Sequence, residues 1–219
     1  MKAFQNKIDP ALLEERSKNQ REEKKRPVEF FFEVIADSKR DSMIRAMSAF
    51  IAARTCEERN MQEVLFNYHI SEDSNTLLFD KLILICRDDH GPNQGDPLFR
   101  KWLLILLGRM WDDYQPCFGH CERNGYIENI LEFAQDDHDP EVRAAAIYAI
   151  GTYIGCVGMD QSEPNIFRLV EHASAIAKLN KDACFLVRKE IVYSIQLIIG
   201  EKYTICIKGR VRSGKFLNL

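Results

Sequence analysis

The chain has 219 residues, 46% of them hydrophobic and 29% charged, with a formal net charge of −3. That is enough material for one or two domains with a substantial core, and no apolar run approaches the roughly 18 residues that would cross a bilayer. Residues 1–26 carry eight basic and five acidic residues and residues 203–219 carry four basic and none acidic, so the body between holds 18 basic against 28 acidic residues, a poor surface for nucleic acid.

The first segment, residues 1–25, is rich in charge and lacks the apolar stretch of a secretory leader, so the expectation is a cytosolic or nuclear protein. ALLEERSKNQREEKKR (11–26) contains good helix formers and i,i+4 pairs of opposite charge, with only Leu12 and Leu13 to anchor it. It reads as a solvated helical or disordered extension, with capping of the first repeat as the functional alternative.

From residue 26 a two-part unit begins. VEFFFEVIA (28–36) has apolar residues at helical spacing and is followed by DSMIRAMSAFIAA (41–53). The pattern recurs as LLFDKLILICR (77–87) with DPLFRKWLLILLG (96–108), as YIENILEFAQ (126–135) with DPEVRAAAIYAIG (139–151), and as IFRLVEHASAIAKL (166–179) with CFLVRKEIVYSIQ (184–196). Each second segment opens with an acid, three residues and an arginine, except that Cys184 replaces the acid in the last. The arginines, Arg45, Arg100, Arg143 and Arg188, are separated by 55, 43 and 45 residues. The last two intervals match the period of about 40–47 residues found in HEAT and armadillo repeats. The longer first interval is expected to hold loops, at the polar segments 57–76 and 88–95 (DDHGPNQG). The fold class predicted is all-α, an armadillo/HEAT-type solenoid of about four helical repeats over 26–202.

The opening grammar has a physical reason. Asp139 caps a helix N-terminus, Pro140 suits the first helical turn, and Glu141 favours the positive end of the helix dipole. Arg143 follows one turn later, where it can reach an acid of an adjacent repeat. Asp41, Arg45, Asp96, Arg100, Asp139, Arg143 and Arg188 are therefore expected to form structural caps and a ladder between repeats. The small residues Ala53, Gly108 and Gly151, each eight positions beyond its arginine, permit close helix approach. Gln196 holds that position in the fourth copy.

LLGRMWDDY (106–114), DPEVRAAAIYAIGTYIG (139–155) and LVRKEIVYSI (186–195), with FFEVIAD (31–37) and MSAFIAA (47–53) ahead of them, resemble in order the armadillo/HEAT region of the Raptor family. Raptor proteins are scaffold subunits of TOR kinase complex 1. The resemblance implies a scaffold that binds a TOR-type kinase and Rag-type small GTPases in the cytoplasm and is recruited to the lysosomal or vacuolar surface through its partners. The family's caspase-like and β-propeller domains have no counterpart here, and its Arg- and Trp-rich loop after LGRxW reads QPCFGHCERNG, so the chain looks like a fragment, a split gene or a much reduced relative. The turns after the inner helices, near Arg54–Glu58, Arg109–Asp113 and Cys156–Glu163, are expected to stack along one edge. Arg54, Arg109 and Asp112 are the partner-binding candidates.

Motifs for chemistry are weaker. In the short basic tail 203–219, YTICIK runs into Gly209-Arg-Val-Arg-Ser-Gly214-Lys215, close to a phosphate-binding loop. Phe216 stands where a magnesium-binding Ser or Thr belongs, and too few residues follow for the helix. Cys117, His120 and Cys121 form a CxxHC cluster in a predicted loop at 115–125, with no second ligand pair nearby in sequence. No GxSxG, HExxH or caspase-type cysteine signature occurs. The acid pairs 88/89, 112/113 and 136/137 fall at helix ends and read as solvated caps. The seven cysteines read as small buried hydrophobes. The expectation is a non-enzyme without metal or cofactor; the alternatives are an adaptor of a phosphatase or transport complex and, further off, a nucleotide- or metal-dependent enzyme.

Overall fold

The computed structural model describes residues 27–69, 77–89, 94–111, 115–157 and 163–196. The extension 1–25, the tail 203–219 and Asp112 lie outside the described residues. Among the described residues regular structure is helical, apart from one isolated bridge between His69 and Leu77.

The helices in chain order are α1 (Pro27–Ala36), α2 (Ser42–Thr55), α3 (Arg59–Phe66) and α4 (Leu78–Leu84), which runs into a π turn at Ile85–Asp89. There follow α5 (Pro97–Met110), α6 (Gln115–Asn124), α7 (Tyr126–Asp136), α8 (Pro140–Val157) and α9 (Glu163–Lys178), which ends in a 3-10 turn, Leu179–Lys181. The last described helix, α10, spans 185–196. Helices α2, α5 and α8 stack in a row as the inner layer, and α10 joins the row against α8. Helices α1, α4, α7 and α9 form the outer layer, each followed by the inner helix of its repeat. This is an all-α solenoid of four helical hairpins.

The two central inner helices, α5 and α8, are apolar nearly all round because each is covered on both sides. Along α8, Val142, Ala146, Ile147, Ala149 and Ile150 are fully buried; on α5 the same holds for Phe99, Leu103, Leu104, Leu106 and Leu107. Close approach depends on two glycines. A Cβ on Gly108 would lie 2.7 Å from Tyr148 Cε1 and 3.0 Å from Ala149 Cα, and one on Gly151 would lie 2.6 Å from Ser194 Cβ. Neither leaves room for a side chain.

Two segments expected to be loops are helices. RNMQEVLF (59–66) folds as α3 because Leu65 and Phe66 are buried, and Gln62, buried beside them, donates to the carbonyls of Cys56 at 3.1 Å and Arg109 at 2.8 Å. The segment 115–124 folds as α6 with Cys117 and Cys121, four residues apart on one face, fully buried. Trp111 Nε1 donates to Cys121 Sγ at 3.0 Å.

Candidate functional site: a groove along the inner helices

The inner helices are held in register at their N-terminal ends. Asp41, Asp96 and Asp139 act as N-caps: Asp41 accepts from Met43 N and Ile44 N at 2.9 and 3.3 Å, Asp96 from Leu98 N at 2.8 Å, and Asp139 from Glu141 N and Val142 N at 2.8 and 3.3 Å. Two of the four arginines, Arg100 and Arg143, reach forward to an acid other than their own cap. Arg100 forks onto Asp137, with Nε to Oδ2 at 2.8 Å and Nη2 to Oδ1 at 3.0 Å, while its Nη1 holds the carbonyls of Gln94 and Gly95. Arg143 repeats this arrangement on Asp182 at 2.8 and 3.0 Å, with Nη1 on the carbonyls of Asp137 and His138.

In both interfaces the receiving aspartate stands two residues before the cap position, and its Oδ1 also accepts that residue's N–H: Asp139 N at 2.9 Å and Cys184 N at 2.8 Å. One carboxylate thus closes its own turn and anchors the preceding repeat, with the planar fork geometry that suits arginine. Asp137 was expected to be a solvated cap, but its side chain is 0% exposed, because Arg100 at 4% pairs with it inside the interface. Burial tends to push the Asp182 carboxyl up, but the hydrogen bonds from Arg143 and the Cys184 N–H, with the charges of Arg143 and Arg188, hold it below its ordinary value.

The first interface is built differently. The residue two before Asp96 is Gln94, so Arg45 has no acid at this position. Its Nε donates to Ile35 O at 3.0 Å and its guanidinium lies 4.4 Å from the centre of the Phe99 ring. Ser42 Oγ donates to Asp96 Oδ2 at 3.0 Å and ties the two helix starts together. Arg188 Nη1 holds the carbonyls of Asp182 and Ala183 at 2.6 and 2.8 Å.

Registered in this way, the four inner helices leave a groove of about 790 Å³ running across α2, α5, α8 and α10. Its floor includes Phe50 and Trp102, whose rings meet edge to face at 4.6 Å, together with Ile105 and Tyr148. Its rim is charged. Arg54 and Arg109 share Glu57 at 3.0 and 3.5 Å, Arg109 also lies 5.7 Å from the Tyr148 ring centre, and Lys101 meets Glu141 at 2.6 Å. Two of the predicted partner residues, Arg54 and Arg109, thus converge on one acid at the groove's edge, which the linear spacing of 55 residues does not reveal. An apolar floor with aromatic anchors and a charged rim is the anatomy of a protein-docking surface.

The chemistry available elsewhere is limited. His120 Nε2 bonds Asp80 Oδ1 at 2.5 Å and Tyr126 OH donates to the same oxygen at 3.0 Å, so His120 sits in a packed polar cluster with its neighbours. Among the described residues no group of three or more His, Cys, Asp and Glu is placed to hold a metal. Burial pushes the Cys56 thiol up to about 12 and raises Cys86 and Cys117 as well, which keeps these sulfurs protonated and poor nucleophiles. No helix among the described residues is long and apolar enough to cross a membrane.

No family model matches the chain. Over 138 residues, 63% of this chain and 8% of the relative, it is 27% identical to the protein raptor homolog of Dictyostelium discoideum. Over 70 residues, 32% of this chain and 5% of the relative, it is 33% identical to regulatory-associated protein of TOR 1 of Arabidopsis thaliana. It is 24% identical over 166 residues, 69% of this chain and 11% of the relative, to regulatory-associated protein of TOR 2 of Oryza sativa subsp. japonica. The chain therefore carries a Raptor-like region that spans about a tenth or less of these relatives' own length. The crystal structure of an engineered protein superposes with a TM-score of 0.57 at 14% identity, covering 81% of this chain and 68% of that one, a likeness of fold alone.

Proposed function

We propose that the chain is a non-catalytic scaffold of TOR signalling that docks a TOR-type kinase along the inner-helix groove and presents regulators or substrates to it, Rag-type small GTPases among them. The observation that carries this reading is the groove itself, a continuous surface across four repeats whose rim holds Arg54, Glu57 and Arg109 in one charged cluster. The likeness to TOR regulatory proteins supplies the partner.

The mechanism is positional. A stack of hairpins joined at two of its interfaces by arginine–aspartate forks keeps its surface in one shape, so partners bound at separate points are held at high effective concentration near each other. The scaffold contributes no reacting group. Its setting is the cytoplasm, with recruitment to the lysosomal or vacuolar surface through the bound partners.

Affinity purification of the tagged chain from its native cell tests the proposal. A TOR-type kinase is expected with the wild-type bait and is lost with the paired variant Arg54→Glu, Arg109→Glu. These side chains are 66% and 33% exposed, so the reversal leaves the core untouched. Recovery of phosphatase or transport subunits in place of the kinase would assign the solenoid to a different machine.

A further inference from the structure

We infer that the open face of α10 is a docking site for a further helical hairpin, one that carries an acidic residue two positions before its inner-helix cap and an apolar residue five positions after that acid. This goes beyond the kinase reading and uses an adjoining surface that shares only Lys189 with the groove.

The inference comes from what each repeat supplies to the next. The residue four beyond each ladder arginine is fully buried in the first three repeats, at Ala49, Leu104 and Ile147, but Val192 is 54% exposed. The residue just before each arginine is fully buried in the last three repeats, at Phe99, Val142 and Val187, whereas Ile44 is 52% exposed. One position therefore faces the following repeat and the other faces the preceding one. On α10 the forward-facing position finds no cover among the described residues.

The electrostatics tell the same story. Arg100 and Arg143 each spend Nη1 on carbonyls of their own turn and the remaining fork on the next repeat's aspartate. Arg188 spends Nη1 in the same way, on Asp182 O and Ala183 O, while its Nε and Nη2 have no acceptor among the described residues. Around it Phe185, Lys189, Val192, Tyr193 and Gln196 line a depression of about 410 Å³ that contains two cations and no acid. The complement is an apolar helix with a carboxylate at its entrance. The two observed occupants that receive an arginine fork have that grammar: Asp137 precedes Val142 by five residues, and Asp182 precedes Val187 by five, whereas the α5 repeat, which carries Gln94 five residues before Phe99, receives none.

A second native copy stacked head to tail fails this requirement at one point. Its first hairpin offers Ile44 as the apolar residue, but Lys39 occupies the acid's position and would oppose Arg188. The nearby Asp37 is bonded to Arg40 at 3.3 Å. Like charges at the same contact disfavour self-stacking.

The test converts the chain's own first hairpin into the required occupant. The full chain carrying Lys39→Asp and Arg40→Ser is used as a soluble probe, and the immobilised wild-type chain is the target in an optical binding assay. Saturable binding of this probe is expected, with at least a tenfold loss on targets carrying Arg188→Gln or, independently, Val192→Glu. The second variant alters an exposed side chain, and circular dichroism checks that both targets remain folded. Equal binding by the unmodified wild-type probe would make a second native copy the occupant and overturn the proposal. Absence of binding would overturn it too, whether the face is inert or covered by residues 197–219.

Discussion

Replacing Asp137 by Asn tests how the repeats are joined. The carboxylate is 0% exposed, its partner Arg100 is 4% exposed, and the pair makes two parallel hydrogen bonds of 2.8 and 3.0 Å. Breaking a buried pair by removing one charge costs about 3–5 kcal/mol, because the remaining ion stays desolvated. Asparagine keeps one acceptor and the side-chain shape, which places D137N at about 3 kcal/mol and D137A towards 5. The Arg143–Asp182 pair has the same geometry but is 15% and 12% exposed, so D182N is expected to cost less, about 1.5–3 kcal/mol. Urea denaturation followed by far-ultraviolet circular dichroism measures both. Exchanging the whole pair, Arg100→Met with Asp137→Leu, should recover part of the loss, since no unpaired charge remains, although the carbonyls of Gln94 and Gly95 still lose their donor. A D137N midpoint indistinguishable from that of the surface control Glu132→Gln would refute the reasoning.

Three further outcomes are expected. Because the folded-state value of Asp182 is lowered, its contribution to stability is complete above the ordinary carboxylate range and is lost as pH falls through that lowered value; a denaturation series against pH should show D182N with a shallower acid slope than the wild type. Gly151→Ala should destabilise by a net ~1–2 kcal/mol, since overpacking against Ser194 costs about 1–3 kcal/mol and the helix-propensity gain of up to about 1 offsets only part of it; thermal or urea melts will show it. Alkylation of the native protein, mapped by mass spectrometry, should leave Cys56, Cys86, Cys117 and Cys121 unmodified, whereas partly exposed Cys184 reacts.

The inner helices could be read from the sequence because their signals are local: Asp96-Pro97 and Asp139-Pro140 state where a helix starts, and long apolar runs state that it is covered on both sides. The fork acceptors are harder to find. Asp137 and Asp182 look like ordinary turn acids, and only their shared position, two residues before the cap, separates them from Asp136 or Asp139. Helices α3 and α6 were hidden for another reason. Gln62 is buried because the carbonyl of Arg109, 47 residues away, accepts its amide, and no local propensity encodes that bond. The groove is legible in part: Arg54 and Arg109 stand out at the ends of their helices, while nothing local marks Phe50, Trp102 and Tyr148, which lie in the same apolar runs as the buried residues.

The central claim, that partners engage the inner-helix groove, is tested most directly by hydrogen exchange of the full chain with and without a purified TOR-type kinase. Docking as described predicts slowed exchange in peptides covering 50–57, 101–109, 141–148 and 186–190, with the outer helices α4 and α7 unchanged. Protection confined to the outer helices, or no protection at saturating kinase, would contradict it.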